Sequence, residues 1–160
     1  MKYFLGIDPG ASGAVAVLSE EGHFVEVFDM PVTRVKVGKT IKRRVNAELL
    51  AHLVSLHSPN AVAVLEQVSS MPGQGVSSMF AFGEAYGIVK GVLAASDVPV
   101  HLVTPGKWKR AMELSANKNG SRAKAIEMWP EHASMFKRVK DDGLAEACLI
   151  AEFGRRNFPW

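Results

Sequence analysis

The sequence predicts an α/β domain: a mixed five-stranded sheet, made of an antiparallel three-strand meander and two further strands running parallel, flanked by helices on both faces. Three observations carry this expectation. Tyr3-Phe4-Leu5-Gly6-Ile7 and Ala61-Val62-Ala63-Val64-Leu65 are short apolar runs bounded by turn residues, the pattern of strands buried on both faces. Ala14–Ser19 and His23–Asp29 follow the first run and flank the tight turn Glu20-Glu21-Gly22. Stretches with apolar residues at helical spacing then alternate with strands, and such crossovers return strands parallel. A chain of 160 residues suffices for one domain, residues 1–160.

In chain order, residues 2–8 form the first strand and the two segments above complete the meander. The Lys-rich stretch 32–44 shows no periodicity and reads as a mobile loop. Val45–His57 carries apolar residues at 45, 49, 50, 53, 54 and 56, a helical stripe ended by Ser58-Pro59-Asn60. Residues 61–65 form a buried central strand. Ser69–Gly75 is a loop, and Val76–Ala95 a long helix. Its Gly83, Gly87 and Gly91 recur every four residues, which predicts close packing of that face on the sheet. Val98–Val103 is a further strand. Thr104-Pro105 supplies an N-cap and first-turn pair for a short helix through Met112. Ser121–Met128 and Asp142–Arg156 are the remaining helices.

Composition excludes several classes. Hydrophobic residues make up 48% and charged residues 22%, an ordinary globular balance. No apolar run reaches the ~18 residues of a membrane span, and the apolar start is too short for a signal peptide. The one cysteine, Cys148, has no internal disulfide partner and lies in an apolar stretch, as a packed thiol would. These features lead to an expected cytoplasmic location with no membrane partner. The five histidines show no metal-ligand pairing, and Trp108, Trp129 and Trp160 read as packing residues.

Net charge is only +3, but the basic residues are clustered. Arg34, Lys36, Lys39, Lys42, Arg43 and Arg44 fall in one stretch without an acid. Lys107, Lys109, Arg110, Lys118, Arg122 and Lys124 fall in a second with Glu113 alone, and Lys137, Arg138 and Lys140 follow. Three such runs outside the apolar elements suit a polyanion with a phosphate backbone.

Two apolar strands end on an acid, Asp8 and Glu66. If the strands are parallel neighbours, their carboxylates meet at one edge of the sheet, where both stay ionised only beside a cation. Hard oxygen donors favour Mg²⁺ or Mn²⁺. Asp142 and Glu146, four apart, share a helix face with Leu149, Ile150 and Phe153, so that face is turned to the core. Acids at a helix start also cap it, which accounts for Asp141 or Asp142 but not for Glu146. Gly10, Ser12 and Gly13 after Asp8 make a turn clear of bulky side chains, open to a phosphate.

GIDPG at Gly6–Gly10, LEQV at Leu65–Val68 and DDGLAEACLIA at Asp141–Ala151 together resemble RuvC-type Holliday junction resolvases, in the divergent form found in phages and prophages. These belong to the ribonuclease H-like superfamily, and the resemblance runs from Lys2 to about Phe153. It implies a homodimer in a bacterial or phage-infected cell, binding four-way DNA junctions and nicking two strands symmetrically. It implies two Mg²⁺ or Mn²⁺ ions per active site, held by Asp8, Glu66, Asp142 (or Asp141) and Glu146. The last acid is usually Asp in the family. Lys124 or Lys109 would neutralise charge on the scissile phosphate. Lys107, Lys109, Arg110, Lys118, Arg122, Lys39, Lys42, Arg43 and Arg44 would hold DNA. The loop after Glu66 is longer than in the bacterial form; Met71, Phe80 or Phe82 could serve there as a wedge, although packing is the expected role of both Phe residues.

Two other readings compete. Sugar kinases and actin-like ATPases also begin with a strand, turn and strand of this type, but they need a second such lobe. A non-catalytic DNA-binding module would have lost an acid, and all are present. Within the nuclease reading, forks or flaps compete with four-way junctions as substrate.

Overall fold

The first apolar run becomes the middle strand of the sheet. In chain order the elements are β1 (Tyr3–Asp8), β2 (Ala14–Ser19), β3 (Phe24–Asp29), β4 (Val32–Val37), β5 (Thr40–Val45), α1 (Ala47–Ser55), β6 (Ala61–Glu66), α2 (Val76–Ala95), β7 (Val100–Val103), α3 (Pro105–Ala111), α4 (Gly120–Met128) and α5 (Asp142–Asn157). This computed structural model describes residues 1–114 and 119–160. Short 3₁₀ turns lie at Ser58–Asn60, Pro130–Phe136 and Val139–Asp141. No described helix is long and apolar enough to cross a membrane.

The sheet order is β3-β2-β1-β6-β7. β1 and β2 pair antiparallel, as do β2 and β3, while β6 runs parallel to both β1 and β7. The five-stranded mixed sheet is the one expected. Because strand side chains alternate between faces, the sheet has two cores. Leu5, Ile7, Val15, Val17, Ala63 and Leu65 pack with α1 and α2 through Leu50, Val54, Val89 and Leu93. Ala14, Ala16, Leu18 and Val64 pack on the other face with Trp108, Leu149, Ile150 and Phe153.

α5 lies on the sheet with almost nothing between. A Cβ added at Gly6 would fall 2.0 Å from the Ala147 carbonyl oxygen, and one at Gly154 would fall 2.1 Å from Val64 Cγ2. Glycine at position 6 lets the strand backbone meet the helix backbone, and glycine at 154 lets the helix backbone rest on the Val64 and Phe4 side chains.

Three expectations change. Residues 32–44 are not a loop but the hairpin β4–β5, with Arg34 opposite Arg43 and Val35 opposite Lys42. The signal was present: Val32, Val35, Val37, Ile41 and Val45 intersperse with charges about a Gly38-Lys39 turn. Gly38 takes φ +61°, which suits the first central position of a two-residue hairpin turn. The basic residues masked this pattern. Secondly, the Gly83, Gly87 and Gly91 face of α2 is not packed; a Cβ at any of the three meets nothing within 4 Å. The buried face is Ala85, Val89, Val92 and Leu93, on the opposite side of the helix. Thirdly, Thr104 sits at the α3 N-cap position with Pro105 in the first turn, but its hydroxyl makes no capping bond. Asn46 does cap α1, its side-chain oxygen accepting from the Leu49 N–H at 3.0 Å.

Candidate active site

The parallel register of β1 and β6 pairs Ile7 with Leu65, so Asp8 and Glu66 emerge side by side at the carboxyl end of the sheet. That edge is where open α/β sheets present ligand sites. β7 pairs its Val103 with Glu66 and leads into α3, which brings Trp108 and Lys109 to the same edge. α5 crosses from the other side with Glu146.

The two glutamates have defined partners. The buried Trp108 indole donates from Nε1 to Glu66 Oε2 at 2.7 Å. Lys109 Nζ lies 3.5 Å from Glu146 Oε1, and the Ser121 hydroxyl of α4 donates to the same oxygen at 3.4 Å. Burial first, then the charges of Glu146 and Glu66, push the Asp8 carboxyl from 3.8 up to about 8; Lys109 opposes them. Glu66 is raised too, mainly by burial and then by Glu146, against the Trp108 hydrogen bond and Lys109. Asp8 thus stands within the field of both glutamates, and Glu66 within that of Glu146.

Asp141 and Asp142 do not join them. Asp142 begins α5 one turn before Glu146, but Arg122 Nε donates to its Oδ1 at 2.6 Å, and its charge is not among those acting on Asp8 or Glu66. Arg122 also donates to the Lys137 carbonyl at 2.9 Å. The buried Asp141 is held by Arg138: the backbone N–H donates to Oδ2 at 2.8 Å and Nη2 to Oδ1 at 2.9 Å, which keeps this carboxyl below its usual range. Of the two acids the sequence left open, Asp142 is the one on the helix with Glu146.

Lys124 is likewise apart. Its ammonium pairs with Glu127 on its own helix at 3.4 Å, and the cation acting on the acids is Lys109. Among the DNA-binding candidates, Lys107 and Arg110 stand exposed on α3, and Arg122 is engaged by Asp142. Lys118 lies outside the described residues. Lys39 is exposed at the hairpin tip. Lys42 Nζ donates to Ser77 Oγ at 2.8 Å, Arg43 Nη2 to Ser12 Oγ at 2.6 Å, and Arg44 Nη1 lies 3.8 Å from Glu84. The hairpin thus leans over the turn that follows Asp8 and over the start of α2.

Gly10 takes φ +109°, and a Cβ at Gly13 would fall 1.9 Å from the Asp8 carbonyl oxygen, so the turn needs both glycines. Phe82 packs over Gly10, where a Cβ would fall 3.1 Å from Phe82 Cε2. Phe80, expected to pack as well, is 71% exposed. Trp108 and Ser121 went unrecognised in the sequence as partners of the acids. Trp108 is 42 residues from Glu66, and only the β6–β7 pairing brings them together.

Among the described residues, no three His, Cys, Asp or Glu side chains stand grouped as a ready cage for an ion. Glu66 and Glu146 are bonded to Trp108, Lys109 and Ser121 instead. The donor chemistry nevertheless fits a hard divalent cation: all three groups are carboxylates, and the two glutamates raise Asp8 because positive charge is short there. A cation held at Asp8 would compete with Lys109 for Glu146.

A family model described as crossover junction endodeoxyribonuclease RuvC matches residues 4–145. A crossover junction endodeoxyribonuclease RuvC from Mycolicibacterium vanbaalenii is 26% identical over 151 residues, 92% of this chain and 75% of that protein. One from Christiangramia forsetii is 25% identical over 154 residues, 91% of this chain and 77% of that protein. Among solved structures, T. thermophilus RuvC in complex with Holliday junction substrate matches with a TM-score of 0.59 and 17% identity, covering 98% of this chain and 96% of that one. This last likeness bears on the fold, and the family-model match spans Asp8, Glu66, the hairpin and α3 through the start of α5. The chain belongs to the RuvC family of crossover junction endodeoxyribonucleases.

Proposed function

We propose that the protein is a metal-dependent endonuclease that resolves four-way DNA junctions by paired symmetric nicks. The observation that carries this reading is the β1–β6 register, which sets Asp8 and Glu66 side by side at the sheet edge with Glu146 of α5 near enough to act on both. Carboxylates so placed hold divalent cations, with Mg²⁺ or Mn²⁺ in a pair as the chemistry of phosphodiester hydrolysis favours. Asp8, Glu66 and Glu146 would hold such ions, joined by Asp142 once it leaves Arg122. When bound, such ions activate the attacking water and stabilise the leaving oxygen. Lys109, rather than Lys124, neutralises the charge that develops on the scissile phosphate. Trp108 keeps the Glu66 carboxylate in place.

Lys107 and Arg110 on one flank and the hairpin cations Lys39, Lys42, Arg43 and Arg44 on the other hold the DNA arms through phosphates. Phe80, exposed on the first turns of α2, is the aromatic available to stack on an unpaired base. Paired nicks need two active sites, so the reading includes a homodimer. The bare glycine face of α2, beside an apolar groove lined by Ala51, Ile88 and Val92, supports it.

Cleavage of end-labelled four-way, forked and linear duplex DNA with Mg²⁺ or Mn²⁺ tests the reading. Symmetric nicks in the four-way substrate are expected, with Asp8→Asn and Glu66→Gln abolishing cutting while binding survives. Cutting confined to forks or flaps would move the substrate within the same chemistry. Cutting by both variants would remove the carboxylates from the mechanism.

A further inference from the structure

A cleft of about 510 Å³ opens between the β4–β5 hairpin, the Ala11–Gly13 turn, the end of β3 and the 3₁₀ turn at Val139–Asp141. None of Asp8, Glu66, Glu146 or Lys109 lines it. Two cationic runs far apart in the chain converge there: Arg34 and Arg43 from the hairpin, Arg138 and Lys140 from the 3₁₀ turn.

The charges in this cleft are unbalanced. Arg34 and Arg43 are direct cross-strand partners on one face of the hairpin. Like charges so placed destabilise a strand pair. The acids of the lining are Asp29 and Asp141, and both Asp141 oxygens are already taken by Arg138. Arg43 donates to Ser12 Oγ at 2.6 Å, so the Ser12 oxygen is engaged as acceptor and its own O–H is left to donate elsewhere. The result is a pocket of forked N–H donors and one hydroxyl donor with few acceptors of its own. A phosphodiester supplies what is missing: one negative charge and two free oxygens, a match for guanidinium forks.

We infer that this cleft is a second phosphate site, which grips a backbone phosphodiester of the DNA substrate away from the scissile one. Arg34 and Arg43 form its floor, and Arg138 with Lys140 its opposite wall. The Ala11–Gly13 turn that lines it follows Asp8 in the chain, so a strand gripped here is led past the carboxylates. The inference rests on the nuclease reading for the identity of its ligand, while the cleft and its charge imbalance stand independently of that reading.

The test is binding of a fluorescent four-way junction in EDTA, followed by anisotropy across a salt series. It compares the wild type, Arg34→Gln, Lys140→Gln, the double variant, and Lys90→Gln on the outer side of α2 as a matched loss of charge. The double variant is expected to bind roughly 10-fold more weakly, and each single loss to lower the slope of log K against log salt by about 1. Lys90→Gln should leave the slope unchanged. Removing one arginine of a facing pair relieves repulsion, so Arg34→Gln should melt no lower than the wild type. Equal slopes for all variants, or an equal effect of Lys90→Gln, would overturn the site. Inorganic phosphate, tested by thermal shift, separates the sources. If it stabilises the wild type but not Arg34→Gln while junction affinity is unmoved, the cleft takes free phosphate and the DNA assignment fails. A protein that cuts no branched DNA yet keeps the Arg34-dependent salt slope would end the nuclease reading and leave this one intact.

Discussion

Replacing Asp8 by Asn is expected to stabilise the fold at alkaline pH while it removes a proposed cation ligand. Burial and the neighbouring Glu146 and Glu66 push Asp8 from 3.8 up to about 8. The unfolded chain keeps the ordinary value, so between those two values the folded protein holds a proton that the unfolded chain has lost. The contribution of Asp8 is therefore fully present below about pH 4, falls as pH rises through the window, and is gone above about pH 8. At about 1.4 kcal/mol per pH unit the whole window amounts to roughly 6 kcal/mol. Coupling to Glu146 and relaxation around a partly wet site reduce that to about 2–4 kcal/mol. Asn carries no charge at any pH. The gap between variant and wild type should grow from near zero at about pH 4 to its full size at about pH 8, or roughly 5–15 °C in Tm for a chain of this length. Urea titrations of both proteins in EDTA at several pH values measure it, and added Mn²⁺ should close the gap by stabilising the wild type alone. A variant no more stable than the wild type at pH 8, or a gap that does not change with pH, would refute the account of crowded carboxylates.

Other substitutions probe the same architecture. Trp108→Phe removes the indole donor from Glu66 and should cost about 2–4 kcal/mol in urea melts, the loss of a hydrogen bond to a carboxylate plus some packing. It should also weaken Mn²⁺ binding about 10-fold by calorimetry, as removal of an outer-shell partner does; an unchanged affinity would reduce Trp108 to a core residue. Gly6→Ala drives a methyl into the Ala147 carbonyl and should cost more than about 4 kcal/mol or prevent folding. A near-neutral melt would mean that α5 can lift off β1. Burial pushes the Cys148 thiol well above its ordinary range. It should resist alkylation in native buffer and react only after urea unfolds the chain; rapid native labelling would contradict its placement on the buried face of α5.

Much of this molecule was legible in residue order because local signals and global packing agree. The runs at Tyr3–Ile7 and Ala61–Leu65 are apolar on both faces and could only be interior strands, and their terminal acids follow by register. α2 was bounded correctly by the loop before Val76 and the loss of periodicity after Ala95. What failed depended on neighbours. The Gly83, Gly87 and Gly91 stripe looks the same whether it is covered or bare, and only the packing of Ala85, Val89 and Leu93 decides which. Asp141 and Asp142 are adjacent and chemically alike, and they part because Arg138 and Arg122 claim them separately. Lys124 and Lys109 are both basic and near the right region, but the α3 position points one ammonium at Glu146 while Glu127 engages the other.

The hairpin is buried only at its root, and beyond it polar side chains alone reach the body, Lys42 to Ser77, Arg43 to Ser12 and Arg44 to Glu84. Val45 is the one buried residue in its two strands, and the Asn46 N–H closes the base by donating to the Pro31 carbonyl at 2.8 Å. Insertions or deletions beyond that base leave both cores untouched, and lengthening a surface excursion is thermodynamically cheap. Such a ribbon can vary in length and composition among descendants while the catalytic frame stays fixed. Selection on which DNA shapes are gripped can therefore proceed there without endangering the fold.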